Sequence, residues 1–125
     1  MTQIVTLDWS RFSSLTAART VFWTKPCVYV QTDLLACPVR VGMASKGLNA
    51  RYRGGTAYTI DAAMHDSKNL VFVVEVPSDC CALIEKNLIW QYRKLLIYNN
   101  MGKRNCPEVS MRFVHEGEAP SFDDA

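Results

Sequence analysis

Residues 27–43, Cys27-Val28-Tyr29-Val30-Gln31-Thr32-Asp33-Leu34-Leu35-Ala36-Cys37-Pro38-Val39-Arg40-Val41-Gly42-Met43, decide how the rest of the chain is read. Two short runs rich in valine and tyrosine, Cys27 to Gln31 and Val39 to Met43, flank a polar break that holds Asp33 and Pro38. β-Branched and aromatic residues bounded by turn formers predict a β-hairpin.

On the N-terminal side, the stretch from Trp9 to Trp23 predicts a short helix, with Thr16 as a cap before Ala17, Ala18 and Arg19. Pro26 forbids its continuation. On the C-terminal side, Gly42, Gly47 and the pair Gly54-Gly55 bracket a short helical piece around Leu48 to Tyr52, and a second helix is expected from Thr56 or Ala57 to about His65. Leu70 to Val76 predicts a buried strand ended by Pro77. Ser78 then offers an N-cap and Asp79 a first-turn acid for a long helix to about Leu96. Val109, Met111 and Phe113 alternate with Ser110 and Arg112, the period of a half-buried edge strand. The expected fold is therefore α/β (α+β), a small central sheet of about three to four strands flanked by helices. It occupies residues 1–115 as a single domain, and an acidic tail, 116–125, is expected to be disordered.

The length of 125 residues matches one core, so a two-domain enzyme with a separate cofactor module is excluded. With 49% hydrophobic and 10% aromatic residues, most of the chain carries too much apolar surface for a solvated coil. The longest strongly apolar run, Leu70 to Val74, is far short of the roughly 20 residues of a membrane helix. No basic segment followed by an apolar stretch opens the chain, so the expected location is the cytoplasm, away from membranes. The 5 cysteines make an odd count without C-x-x-C spacing. That predicts reduced, mostly buried thiols, and nothing in the spacing asks His65 and His115 to join Cys80 and Cys81 around zinc.

The net charge of +2 is unevenly spread. Glu116, Glu118, Asp123 and Asp124 lie in the last ten residues, which leaves 14 bases against 8 acids before them. Two segments lack acids altogether: Arg40, Lys46, Arg51 and Arg53 in one, and Lys86, Arg93, Lys94, Lys103 and Arg104 in the other. If these converge on one face, an anionic polymer is the partner; otherwise they form a solubilising surface.

Projected at 3.6 residues per turn, Cys81, Leu88, Ile89, Tyr92 and Leu96 form one stripe of the long helix, with Glu85 in its middle. A carboxylate there requires a cation, a proton or water. It is either a Glu paired with an Arg for structure, or a metal ligand or general base at the mouth of a cleft. The spacing of Gly42 and Gly47 matches the start of a P-loop, but Leu48 and Asn49 replace the lysine and hydroxyl residue, so an NTPase is excluded.

Taken together, these pieces resemble the GIY-YIG nucleases. Cys27-Val28-Tyr29 and, ten residues on, Arg40-Val41-Gly42 resemble the paired strand motif. Leu48 and Arg51 match the Leu and Arg of the helix that follows it. Glu85-Lys86-Asn87-Leu88-Ile89 with Tyr92 and Arg93 is similar to the metal-binding helix of the family's excision-repair members, and Tyr98-Asn99 is the nearest match to its Pro-x-Tyr-Asn ending. The resemblance spans about residues 27–99. Cys27 stands at the first Gly, Arg40 at the second Tyr, and the proline between Arg93 and Tyr98 is absent.

The resemblance implies a DNA endonuclease that uses one divalent metal, Mg²⁺ or Mn²⁺. Glu85 would hold the metal, Arg51 would grip the scissile phosphate, and Tyr29 would position the attacking water or accept its proton. A phenol with an ordinary pKa of about 10 needs neighbouring cations for that last task, and Arg40 and Lys46 are at hand. Arg40, Lys46, Tyr52 and Arg53 would contact substrate, and Asn99 would brace the site. The rival readings are a domain of the same fold that grips nucleic acid without cutting, and a protein-interaction or inhibitory role.

Overall fold

A computed structural model describes residues 2–48, 70–96 and 106–122. Their strands are β1 (Gln3–Phe12), β2 (Cys27–Thr32), β3 (Pro38–Ala44), β4 (Leu70–Glu75) and β5 (Met111–Gly117). They form one five-stranded mixed sheet in the spatial order β3-β2-β4-β1-β5. β1 and β5 are parallel, and the other neighbouring pairs are antiparallel. The helices are α1 (Leu15–Val21) and α2 (Cys81–Gln91), the latter preceded by a 3-10 turn over Ser78–Cys80.

The predicted hairpin is β2 and β3, with Tyr29 opposite Gly42 and Gln31 opposite Arg40. All of β2 is buried, because β3 and β4 pair with its two edges and apolar layers cover both its faces. Strand alternation sorts the core into those layers. On one face Leu7, Trp9, Val28, Val30, Val41, Phe72 and Val74 pack against Ile84, Leu88 and Ile89 of α2. On the other, Cys27, Tyr29, Ala44, Val71 and Val73 pack against Ala18 of α1, Phe22 and Leu48. Burying each of the larger side chains contributes roughly 1.5–3 kcal/mol before chain entropy is counted.

Several boundaries differ from expectation, each for a local reason. Five strands replace three to four because residues 9–12, expected in a helix, belong to β1. Leu7 and Trp9 alternate there with exposed Thr6 and Asp8, the period of two of a half-buried strand. The cap of α1 is Ser14, whose Oγ accepts the Ala17 N–H at 3.1 Å, so Thr16 lies inside the helix. Ser78 does not cap α2, since its hydroxyl donates to the Ser45 carbonyl at 3.0 Å. α2 also stops earlier than expected, at Gln91, and the Arg93 and Leu95 N–H groups beyond it bond three residues back, to Trp90 O and Tyr92 O, instead of four.

The boundary expected at residue 116 falls inside β5. Gly117 turns the chain at φ +69°, a conformation glycine adopts without strain, and a side chain there would meet Asp8 and the Trp9 carbonyl. The Glu118 N–H then donates to Trp9 O at 3.0 Å and the Ser121 N–H to Ala36 O at 2.8 Å. Phe122 ends this path in the core, stacked on Tyr92 and His115. Residues 116–122 stay ordered because Phe122 is buried as an aromatic anchor while Glu116 and Glu118 remain exposed.

Candidate functional site

Tyr29 points to the α1 face from the centre of β2, and its ring lies directly over the Cα of Gly42 on β3. A Cβ at position 42 would overlap Cζ, Oη and Cε2 of that ring, so glycine is the residue that lets the aromatic lie flat on its neighbour strand. The Tyr29 hydroxyl ends beside Arg40, whose Nη1 lies 3.4 Å from it and donates to Gln31 Oε1 at 3.2 Å. The guanidinium carbon stands 6.0 Å from the Tyr29 ring centre, within range of a cation–π contact. Gln31 is buried at 1% exposure, and a buried amide needs such a partner. Arg40, which replaces the second tyrosine of the motif, thus ties together the polar groups of the hairpin while staying half-exposed. Gln31 escaped the sequence reading, although a lone polar residue closing the apolar run Cys27 to Val30 was its signal.

Glu85 lies on α2 among Cys81, Ile84, Leu88 and Ile89, all buried, yet is itself only half-buried. The full desolvation expected of a carboxylate in mid-stripe is therefore relaxed by contact with solvent. A hard cation can reach such a group, and one carboxylate with retained waters suits Mg²⁺ or Mn²⁺. Among the described residues no group of three or more His, Cys, Asp and Glu side chains gathers to hold a metal.

Burial, with Cys80 and then Glu85 adding to it, pushes the Cys81 thiol up, and desolvation and Asp79 do the same to Cys80. This pair is therefore no activated nucleophile at neutral pH. All 5 cysteines are free, but only Cys27 and Cys81 are fully buried, fewer than expected.

The structure brings Tyr29, Gln31, Arg40 and Gly42 together and holds Glu85 apart from them, since α2 packs on the opposite face of the sheet. Lys46 is exposed in the turn after β3. Arg51, Tyr52, Arg53 and Asn99 lie outside the described residues. His115 is engaged elsewhere: its Nδ1 accepts from the Trp9 indole N–H at 3.0 Å, and its Nε2 is 3.1 Å from the Tyr92 hydroxyl. Beside the C-terminal turn of α2 a groove of about 270 Å³ is lined by Asn87, Trp90, Arg93, Cys106 and Met111. There the Arg93 guanidinium, just past the end of α2, stacks 3.9 Å from the Trp90 ring centre.

No protein-family model, curated protein or solved structure matches this chain. No helix among the described residues is long and apolar enough to cross a membrane.

Proposed function

We propose that the chain is a divalent-metal-dependent DNA endonuclease of the GIY-YIG kind, hydrolysing phosphodiester bonds in the cytoplasm. The observation that carries this reading is the seat of Tyr29. Its ring lies on Gly42 and its hydroxyl faces the Arg40 guanidinium, at the positions where the hairpin resembles the family's paired motif. Glu85 supports it from α2, the helix after β4, as a carboxylate that keeps solvent access.

Bound Mg²⁺ or Mn²⁺ would supply Lewis acidity at the scissile phosphate and leaving oxygen. Glu85 would hold it, and Arg51 would clamp the phosphate with its planar donors. Tyr29 would orient the attacking water or take its proton. Arg40, Lys46, Tyr52 and Arg53 would grip flanking phosphates, and Asn99 would brace the site. With α2 and Tyr29 on opposite faces, the reading requires their groups to meet around the edge strand β3, toward which the Tyr29 ring leans.

That same arrangement favours a second reading, a nucleic-acid-binding domain that does not cut. Tyr29 has 0% exposure, and Arg40 occupies the place of a motif tyrosine. Supercoiled plasmid incubated with Mg²⁺ or Mn²⁺, beside a chelated control, separates the two. Metal-dependent nicking is expected. Salt-dependent binding without nicking would transfer the conclusion to the second reading, and absence of both would overturn each.

A further inference from the structure

β5 closes one side of the sheet, and its backbone polarity can be read residue by residue. The Ser110 carbonyl accepts the Gln3 N–H, and the Glu118 N–H donates to Trp9 O, both at 3.0 Å. Even-numbered residues therefore turn their backbone groups to β1, and Met111, Phe113 and His115 turn theirs outward. Those outward groups have no hydrogen-bond partner among the described residues. The segment after Gly117 leaves this edge open, because it runs under the sheet toward Ala36. No proline, bulge or inward charge blunts the strand; its edge charges are Arg112 and Glu116, of opposite sign.

The side chains on the outer face of β5 are Arg112, Val114 and Glu116, all exposed. Their neighbours across β1 are Ile4, Thr6 and Asp8. Arg112 thus stands beside an exposed isoleucine, and Glu116 beside a second carboxylate, an unfavourable pairing within one chain. No ion pair joins Arg112 or Glu116 to another side chain among the described residues.

We propose that β5 is the pairing edge of a symmetric dimer of this chain, two copies joining antiparallel about a two-fold axis at Val114. In that register Phe113 faces His115 of the second copy as a hydrogen-bonded pair, and the reciprocal pair forms with it, so the outward backbone groups are used. Val114 meets its own counterpart on the axis, where non-hydrogen-bonded residues approach most closely. Arg112 meets Glu116 of the second copy, twice by symmetry, and each arginine is delivered to the Glu116–Asp8 pair that lacks a cation. The two sheets become one continuous sheet, an isologous contact that closes on itself and does not propagate into fibres. This inference is independent of the nuclease reading.

Sedimentation equilibrium across a wide concentration range tests it. The wild type should move from 14.1 kDa toward twice that mass as concentration rises. Arg112→Glu and Glu116→Arg should each weaken self-association about tenfold or more, since each turns two attractive cross-strand pairs repulsive. Combining both changes in one chain should restore the dimer, and mixing the two single variants should produce a heterodimer. Amide exchange at Phe113 and His115 should slow with concentration in the wild type, and circular dichroism of each variant checks its fold. A wild type that stays monomeric at all concentrations, or a dimer indifferent to both charge reversals, overturns the proposal.

Discussion

Gly42 holds the hairpin together by having no side chain. The Tyr29 ring fills the space a Cβ would take, and that ring is fully buried and cannot swing aside. Gly42→Ala should therefore destabilise the fold by about 1–3 kcal/mol, read from urea denaturation; unchanged stability would show that the ring is not packed on the strand. His115 makes a second residue-scale prediction. The indole N–H of Trp9 can only donate, so Nδ1 of His115 accepts and the neutral ring carries its proton on Nε2, directed at Tyr92. Burial lowers the His115 pKa below its ordinary 6.5. The unfolded chain therefore binds the proton first as pH falls, and the neutral histidine's contribution, full above about pH 6.5, is progressively lost below it. The melting temperature should fall between pH 7 and 5.5 in the wild type and less steeply in His115→Phe. Equal slopes would remove His115 as the titrating group.

At the scale of elements, the segment after β5 should be an integral part of the fold. Phe122 is wedged against both Tyr92 and His115, with ring centres 4.2 and 4.4 Å away. Phe122→Ala should cost about 3 kcal/mol in thermal or denaturant unfolding, whereas a detached tail would tolerate the change. The sequence could not reveal this anchor, because four acids in ten residues hide one aromatic whose partners are far along the chain. The hairpin and β4 were legible, since Val30, Val41 and Val73 sit in runs bounded by turn residues or proline, and α2 was legible as a helix though not at either of its ends. β5 was legible from its alternation, though displaced toward its C-terminus. β1 carries the same alternation, Leu7 and Trp9 against Thr6, Asp8 and Ser10, but its last residues run into the Ala17-Ala18-Arg19 helix signal, and its pairing with β5 spans almost the whole chain. At the site, the pairing of the two strands that carry Tyr29 and Gly42 was legible as a hairpin, but the seat of the Tyr29 ring on Gly42 was not. Nor was the link from Arg40 to buried Gln31, because it depends on strand register.

For the whole molecule, the sheet is the divider that matters: the Tyr29–Arg40 cluster lies on the α1 face and the α2 layer on the other. If Arg40 is a phosphate contact, Arg40→Ala should weaken DNA binding and reduce its salt slope by about one unit. An unaltered slope would confine Arg40 to its structural role beside Gln31. Catalysis makes the stricter demand, because a group on α2 must act together with one on the far side of β2. The most direct measurement is single-turnover cleavage of supercoiled plasmid in Mg²⁺ by wild type and Glu85→Gln, with DNA affinity determined for both. The nuclease account predicts that the glutamine variant binds DNA normally but cuts at least a hundredfold more slowly, the order expected for loss of a metal ligand. Equal rates for the two proteins would contradict it.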